Sequence, residues 1–170
     1  MIHASSKHSN TYISGINEDC IQQNAVDLRI QSVRRILPTM FILDEERKVH
    51  RDTQEVPLGE DGYWELQPGS YEFTTEHIIH VGEDEAGFVI TRSTLNRNGV
   101  FVTSGNYDSG YRGSQAGCLH VTSGPMKLKP GTRIAQMLLW KAEAIKQYDG
   151  DYGLDADGKP KDMEAKYHAS

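Results

Sequence analysis

Apolar residues occur along this chain in short runs that are separated by glycine, proline and acidic residues. Each run has about the length of a β-strand, and the separating residues are those that commonly form turns. Many short strands with turn signals between them favour a sandwich or a barrel. The pattern therefore predicts an all-β fold. The runs are IQQNAVDLRI, TMFIL, YWEL, SYEFTT, HIIHV, GFVIT, VFVTS, GCLHV, MKLK and RIAQMLLW.

The same pattern divides the chain into three parts. Residues 1–19 are polar and are predicted to form an N-terminal arm, whereas residues 20–146 contain the strand-like runs of the barrel domain. Residues 147–170 are rich in Gly, Asp and Lys and are predicted to be a flexible tail. Asp44–Asp52 is highly charged and is predicted to be a solvated loop or hairpin. The stretch Arg133–Ile145 is compatible with a helix, because it contains good helix formers, or with a strand.

Composition restricts the classes of function. A chain of 170 residues and 19.1 kDa suits one domain with a sizeable core. Its net charge of −6 argues against a general nucleic-acid or anionic-membrane surface, although a nucleotide site needs only a few local cations. The two cysteines, Cys20 and Cys118, suit a reducing compartment, and the start of the chain lacks the apolar core of a signal peptide. We expect a cytoplasmic protein that binds neither nucleic acid nor membrane.

The segment between Thr91 and Val121 contains the residues best suited to chemistry. Arg92 and Ser93 offer donors for phosphate oxygens, and Asp108 offers a carboxylate that can activate water. The glycines between Ser104 and Gly113 predict a hairpin whose backbone approaches a flat ligand closely. Arg92 and Ser93 also fit a surface arginine with a capping serine, and Asp108 also fits a turn residue. The combination indicates a nucleotide site on a β scaffold.

Four blocks of this chain resemble, in order, the trimeric dUTPase and dCTP deaminase superfamily. The resemblance covers roughly residues 20–140 and implies a distorted jelly-roll-like β-barrel, a homotrimer with active sites between subunits, and a strand through Leu139. The opening block is similar to I-Q-P-A-S-x-D-L-R of the deaminases, and the block after it is similar to R-S-S-L-A-R-x-G. The third is close to I-D-x-x-Y-R-G of the dUTPases, and the fourth to P-G-D-R-I-A-Q-L. In this chain the blocks are Ile21–Arg29, Arg92–Gly99, Tyr107–Gly113 and Pro130–Met137.

The resemblance also implies roles for individual residues and a deoxypyrimidine nucleoside triphosphate as the ligand. Asp108 would be catalytic, because the matching aspartate polarises the water that attacks the α-phosphorus. Asp27 would support Mg²⁺ indirectly, through water, as Mg²⁺ usually keeps several water ligands. The implied substrate-binding residues are Arg92, Ser93 and Gln136 for the phosphates, Arg97 for the phosphates or the base, Gly105 and Asn106 for the pyrimidine, and Tyr111 for the deoxyribose.

Two departures from the family pattern affect the predicted activity. Cys118 occupies the position, counted from Asp108, at which the deaminases have their catalytic glutamate, and no Asp or Glu lies between Asp108 and Glu143. A thiol with an ordinary pKa is a poor substitute for a carboxylate in proton transfer. The tail also lacks the Arg and Phe of the dUTPase motif, because no Arg follows Arg133 and no Phe follows Phe101.

These features lead to three hypotheses about function. The first is a Mg²⁺-dependent hydrolase that converts dUTP to dUMP and pyrophosphate. The second is a dCTP deaminase that releases ammonia and makes dUTP or, as a bifunctional enzyme, dUMP. The third is a non-catalytic nucleotide-binding regulatory protein on the same fold. Zinc-dependent deamination is excluded, because the histidines are scattered and the H-x-E and P-C-x-x-C signatures are absent.

Overall fold

The computed structural model of the chain describes residues 1–159 and 161, and most of its regular structure is β-strand. Two single turns of helix interrupt the strands, a 3₁₀ turn at Glu18–Cys20 and α1 at Ser93–Asn96. The predicted all-β class is confirmed. The strands are β1 (Tyr12–Ile13), β2 (Val26–Ile36), β3 (Ile42–Leu43), β4 (Lys48–Val49), β5 (Thr53–Glu55), β6 (Trp64–Leu66), β7 (Gly69–His80), β8 (Glu85–Thr91), β9 (Val100–Thr103), β10 (Asn106–Tyr107), β11 (Arg112–Val121), β12 (Met126–Leu128) and β13 (Arg133–Lys141).

One antiparallel sheet contains most of these strands. Its order is β10-β8-β13-β2-β7-β11-β9, with β1 added to β7 and β5 added to β2. The sheet curls so far that β8 contacts β9. At this contact the backbone N–H of Val102 donates to Thr91 Oγ1 at 2.8 Å, and the Thr91 hydroxyl donates to the Val102 carbonyl at 3.0 Å. This contact between two strands that are distant in the sheet order gives the distorted barrel that the resemblance implied.

The core follows the two-residue periodicity of the strands. In β7, Tyr71, Phe73 and Ile79 are buried, while Glu72 and Glu76 are exposed. Because this alternation is unbroken, the two predicted runs SYEFTT and HIIHV form a single strand. The ambiguous C-terminal stretch is also a strand, β13, as the resemblance indicated. The charged residues between β3 and β4 form a hairpin, as one of the two predicted alternatives stated.

A buried carboxylate anchors the first residues of the chain to the barrel. Glu85 accepts hydrogen bonds from Ser9 Oγ (2.9 Å), the Asn10 backbone N–H (2.8 Å) and both the N–H (3.0 Å) and Oγ1 (2.5 Å) of Thr11. Lys141 Nζ donates to the same carboxylate at 3.0 Å. Burial by itself raises the pKa of Glu85, but these hydrogen bonds together lower the pKa below its ordinary value. Residue 19 as the end of the arm stays a prediction.

No helix within residues 1–159 and 161 is long and apolar enough to cross a membrane. Of the tail predicted at 147–170, residues 160 and 162–170 lie outside the described part of the chain, and the flexibility of the tail stays a prediction.

Candidate functional site

The first group of predicted site residues meets around Asp27 on the outer face of β2 and β13. The Asp27 side chain is fully buried, and Gln136 Nε2 donates to its Oδ1 at 3.0 Å. Guanidinium nitrogens of Arg92 and Arg133 each lie 3.4 Å from Asp27 Oδ2. The structure therefore brings together three residues that the sequence singled out, and it adds Arg133.

Strand pairing explains how these four residues meet. Gln136 lies directly opposite Asp27 in the β13–β2 ladder, and Arg92 follows the last residue of β8, the other neighbour of β13. The ladder contains a bulge between Arg133 and Ala135. Without a bulge, residues three apart on a strand point to opposite faces, so the bulge allows Arg133 and Gln136 to reach the same carboxylate.

The cluster has more donors than its one carboxylate can use. Each guanidinium has five N–H donors, and Asp27 supplies one negative charge against the two positive charges of Arg92 and Arg133. About 30% of each arginine side chain is exposed, 29% and 31% respectively. Arg92 Nη1 also donates to the Arg133 carbonyl at 3.2 Å, and Arg133 Nη1 donates to the Asp19 carbonyl. The remaining N–H groups of the two guanidinium forks suit the non-bridging oxygens of a phosphate chain.

Two other predicted nucleotide contacts lie at the ends of α1, directly after Arg92. Ser93 is the first residue of the helix, and Arg97 follows its last residue. Ser93 and Arg97 are both exposed and lie one helical turn apart, with the Arg97 N–H donating to the Ser93 carbonyl at 3.1 Å. Chain connectivity thus places the start of α1 next to Arg92. Their contacts with a nucleotide stay predictions.

The second group of predicted residues lies in the connection between β9 and β11. These two strands pair as the arms of a wide hairpin, and between them β10 pairs with β8, with Tyr107 opposite Gly87. A tight turn follows, in which the Tyr111 N–H donates to the Asp108 carbonyl at 3.0 Å. Gly110, the third residue of this turn, has φ +80°, which a type II turn requires and glycine adopts readily.

This turn leaves Asp108 exposed. Its carboxylate accepts a hydrogen bond from Asn106 Nδ2 at 2.5 Å. Among the described residues, none lies within 4 Å of where a Cβ of Gly105 would be, so the packing of the chain itself does not require a glycine there. Tyr111 is only 8% exposed, and its hydroxyl donates to the Ser114 carbonyl at 2.9 Å. The hairpin therefore offers an open surface at Gly105 and Asp108, while the ring of Tyr111 packs against protein.

The two groups do not form one site within a single chain. Tyr107 lies beside Gly87, whereas Arg92 lies just beyond the opposite end of β8. At about 3.3 Å per residue, these two positions on the strand are roughly 16 Å apart. Asp108 continues away from the Arg92 end, so its carboxylate and the arginine cluster do not face each other across one pocket.

Cys118 lies on the outer face of β11, opposite Thr103 of β9 and Glu72 of β7. Its Sγ is 3.8 Å from Nδ1 of His120, whose ring also lies 3.1 Å from the hydroxyl of Ser70. Burial raises the pKa of the Cys118 thiol above its ordinary value, and the charge of Glu72 adds to the rise, although hydrogen bonds oppose it. At neutral pH the thiol is therefore protonated and carries no negative charge.

Comparison with known proteins agrees with this architecture. A family described as dCTP deaminase-like matches residues 1–142. A probable deoxyuridine 5′-triphosphate nucleotidohydrolase of Methanopyrus kandleri is 31% identical over 140 residues, 81% of this chain and 90% of that protein. Its counterpart in Aeropyrum pernix is 30% identical over 143 residues, 82% and 89% of the two chains.

Solved structures show the same fold at low sequence identity. The 2′-deoxycytidine 5′-triphosphate deaminase of Agrobacterium tumefaciens matches with a TM-score of 0.61 and 18% identity, over 80% of this chain and 44% of that one. This chain thus spans less than half the length of that deaminase. A dUTPase of Staphylococcus bacteriophage 80alpha, solved with dUpNHpp, matches with a TM-score of 0.51 and 11% identity, over 83% of this chain and 97% of that one.

Proposed function

Because the chain belongs to the dCTP deaminase-like family, we propose that it is a nucleotidohydrolase that converts dUTP to dUMP and pyrophosphate. The observation that carries this proposal is the surplus of guanidinium donors around the buried carboxylate of Asp27. Such a cluster binds a phosphate chain, and Asp108 supplies a separate exposed carboxylate for activating water. The archaeal relatives that bear the nucleotidohydrolase name support this assignment.

Catalysis in this proposal consists of positioning and proton transfer. Asp108 holds the attacking water and accepts its proton as the water attacks the α-phosphorus and pyrophosphate leaves. Donors on the phosphate oxygens stabilise the negative charge that the leaving group gains. The proposed binding residues are Arg92, Ser93, Arg97, Arg133 and Gln136 for the phosphates and Gly105 and Asn106 for the pyrimidine. Contact of the deoxyribose with Tyr111 stays a prediction, and only the exposed 8% of Tyr111 is open to the sugar.

A divalent cation fits this site only through the substrate and water. Both oxygens of Asp27 already accept from or pair with protein donors, one with Gln136 and the other with two arginines. The ligands of Mg²⁺ would therefore be phosphate oxygens and water. Asp27 would not contact the ion and would support the site by pairing with the two arginines. When bound, the ion would neutralise part of the triphosphate charge. A phage phi11 dUTPase of the same fold has a structural Mg(II) ion.

We propose further that the site is completed between copies of the chain, as a homotrimer. The separation between Asp108 and the arginine cluster supports this arrangement, because a second copy can bring its Asp108 to the phosphates. The outer face of β8 and β13 also carries an apolar strip next to Gln136, and exposed strips of this kind commonly mark protein interfaces. The strip consists of Phe88, Ile90, Leu138 and Trp140, with Phe88 44%, Ile90 37% and Trp140 38% exposed. A cytoplasmic location, predicted from cysteine usage, is part of the same proposal.

Incubation of the purified protein with dUTP, dCTP or dTTP and Mg²⁺ tests the proposed activity. Pyrophosphate and ammonia are followed separately. The proposal predicts pyrophosphate from dUTP without ammonia. If nucleotide binds but neither product forms, the proposal is wrong and the protein is a nucleotide-binding regulator.

Deamination of dCTP is a second candidate, and one observation favours it. Glu72 lies directly opposite Cys118 in the β11–β7 ladder, so the Cβ atoms of the two residues are within about 5.5 Å. Glu72 is exposed and places a carboxylate next to the position at which the deaminases have theirs. If wild-type protein releases ammonia from dCTP and Glu72→Gln loses that activity, the second candidate replaces the first.

Replacing Cys118 with glutamate is expected to create or raise ammonia release from dCTP. The substitution restores a group that takes a proton from water and returns it to the leaving amine, a role worth roughly 10²–10⁴-fold in rate. Cys118→Ser is the matched control, because it changes the thiol without adding a carboxylate. Equal ammonia release by both variants would show that the residue at this position does not limit deamination.

A further inference from the structure

The described part of the C-terminal tail packs against the turn that carries Asp108. The backbone N–H of Tyr148 donates to the Ser109 carbonyl at 2.8 Å, on one side of the turn. The N–H of Leu154 donates to the Arg112 carbonyl at 2.7 Å, on the other side. We call residues 147–154 the brace, because they span the turn from side to side.

Aromatic packing joins the brace to the interior of the hairpin. The rings of Tyr148 and Tyr111 meet edge to face, with centroids 5.2 Å apart and planes at 74°. Tyr111 meets Tyr107 in the same way, at 5.1 Å and 80°. Three rings therefore pack in series from β10 to the brace, in the geometry that aromatic pairs prefer. Tyr111 is thus packed between a ring of the barrel and a ring of the brace, and it is only 8% exposed.

The close approach of the brace requires glycine. Gly153 has φ +97°, and a Cβ on it would collide with the Arg112 carbonyl oxygen. Lys161 stabilises the brace with two contacts. Its Nζ donates to the Gly150 carbonyl at 2.5 Å and lies 5.2 Å from the centre of the Tyr148 ring. The contact is thus specific in shape and is held at several points.

Tyr148 also lies within electrostatic reach of Asp108. Its hydroxyl oxygen accepts a hydrogen bond from the Tyr152 N–H at 3.1 Å. Burial raises the pKa of Tyr148, and the negative charges of Asp151 and, to a smaller extent, Asp108 add to that rise, although the hydrogen bond from Tyr152 opposes it. The phenol is therefore neutral at physiological pH, and no negative charge from it opposes the carboxylate of Asp108.

We propose that Tyr148 is a positioning residue, which holds the Asp108–Tyr111 turn in the geometry that catalysis requires by packing on Tyr111. The inference rests on the proposed function, since it assigns Asp108 the catalytic role. The brace acts through the backbone of Ser109 and the ring of Tyr111, so it orients the catalytic carboxylate without touching the substrate. The turn is also held from the barrel side, where Ser109 Oγ donates to the Glu85 carbonyl at 2.7 Å and the Gly110 N–H donates to the Val81 carbonyl at 3.2 Å. The brace adds a support on the tail side, through the Ser109 carbonyl and the Tyr111 ring.

Steady-state kinetics of the full-length protein with dUTP tests this inference. Tyr148→Ala is expected to lower kcat roughly 10- to 100-fold with little change in KM, because a small displacement of a catalytic group costs rate more than binding. Tyr148→Phe keeps the ring and is expected to retain wild-type kcat. Gly153→Val displaces the brace by another route and is expected to lower kcat like Tyr148→Ala. Ile145→Ala, at a fully exposed position, is the control.

Several outcomes would overturn the proposal. Wild-type kcat in both Tyr148→Ala and Gly153→Val would show that the brace does not position the turn. Equal damage in Tyr148→Phe and Tyr148→Ala would assign the effect to the hydroxyl, and a rise in KM at constant kcat would assign Tyr148 to binding. If the wild-type protein hydrolyses no nucleotide, the proposed function fails, and amide hydrogen exchange then tests whether Tyr148 orders the turn.

Faster exchange of the Tyr111 amide in Tyr148→Ala than in wild type would show that Tyr148 orders the turn, and unchanged exchange would contradict this role.

Discussion

Replacing Asp108 with asparagine is expected to lower kcat for dUTP roughly 10³-fold, within the range that removal of a general base usually costs. Asparagine keeps the shape of the side chain, and its carbonyl oxygen can still accept the hydrogen bond that Asn106 now donates to Asp108. The amide cannot accept the proton of the attacking water. Turnover should therefore fall while the Kd for a non-hydrolysable dUTP analogue stays unchanged.

Asp61→Asn is a suitable control for this experiment. Asp61 is another exposed carboxylate, and it pairs with Lys127. The control should turn over dUTP at the wild-type rate. Loss of analogue binding in Asp108→Asn would move Asp108 from the chemical step to substrate binding, and full activity in that variant would remove it from the mechanism.

Replacing Glu85 with glutamine is expected to lower the free energy of unfolding by about 3 kcal/mol, as breaking a buried charged pair on one side usually does. The carboxylate accepts from four donors of Ser9, Asn10 and Thr11 and from Lys141. A glutamine would direct its NH₂ group at some of these donors, which would leave them without an acceptor. Urea denaturation at neutral pH measures the difference.

The pH dependence of that difference identifies the charge as its source. The folded-state pKa of Glu85 lies below its unfolded value of about 4.3, so its stabilising effect is complete above that pH and is lost as the pH falls through the folded pKa. The difference in the free energy of unfolding between wild type and Glu85→Gln should therefore become smaller in acid. The control is Asp84→Asn, a neighbouring exposed carboxylate that also binds Lys141. A gap that stays constant with pH would contradict the electrostatic explanation.

The sequence predicted the strands of the barrel well, because their alternation of buried and exposed residues is local. It also singled out Asp27 and Gln136 as site residues, since both lie in blocks that resemble a family, but it did not predict the hydrogen bond between them. Arg133 lies in one of these blocks and was nevertheless missed. Its distance of three residues from Gln136 places the two on opposite faces of a regular strand, and only the bulge brings them together.

Long-range contacts account for the features that the sequence did not indicate. Glu85 follows two other acidic residues, Glu83 and Asp84, and the run has the composition of an exposed loop. Burial of its third member depends on Thr11, which is 74 residues away. The packing of Tyr148 on Tyr111 could not be predicted either, because the composition of a tail does not indicate the surface of the folded domain on which the tail packs.

In the proposed homotrimer, Asp108 of one copy acts on phosphates that Arg92 of another copy holds, and mixing two inactive variants tests this arrangement most directly. Asp108→Asn and Arg92→Ala are denatured together in equal amounts and refolded, with each variant refolded alone as the reference. The refolded mixture as a whole should regain about a quarter of the wild-type dUTP hydrolysis, because about a quarter of all sites combine Asp108 from an Arg92→Ala chain with Arg92 from an Asp108→Asn chain. No recovery in mixed oligomers that are shown to have formed would mean that each chain forms its site alone.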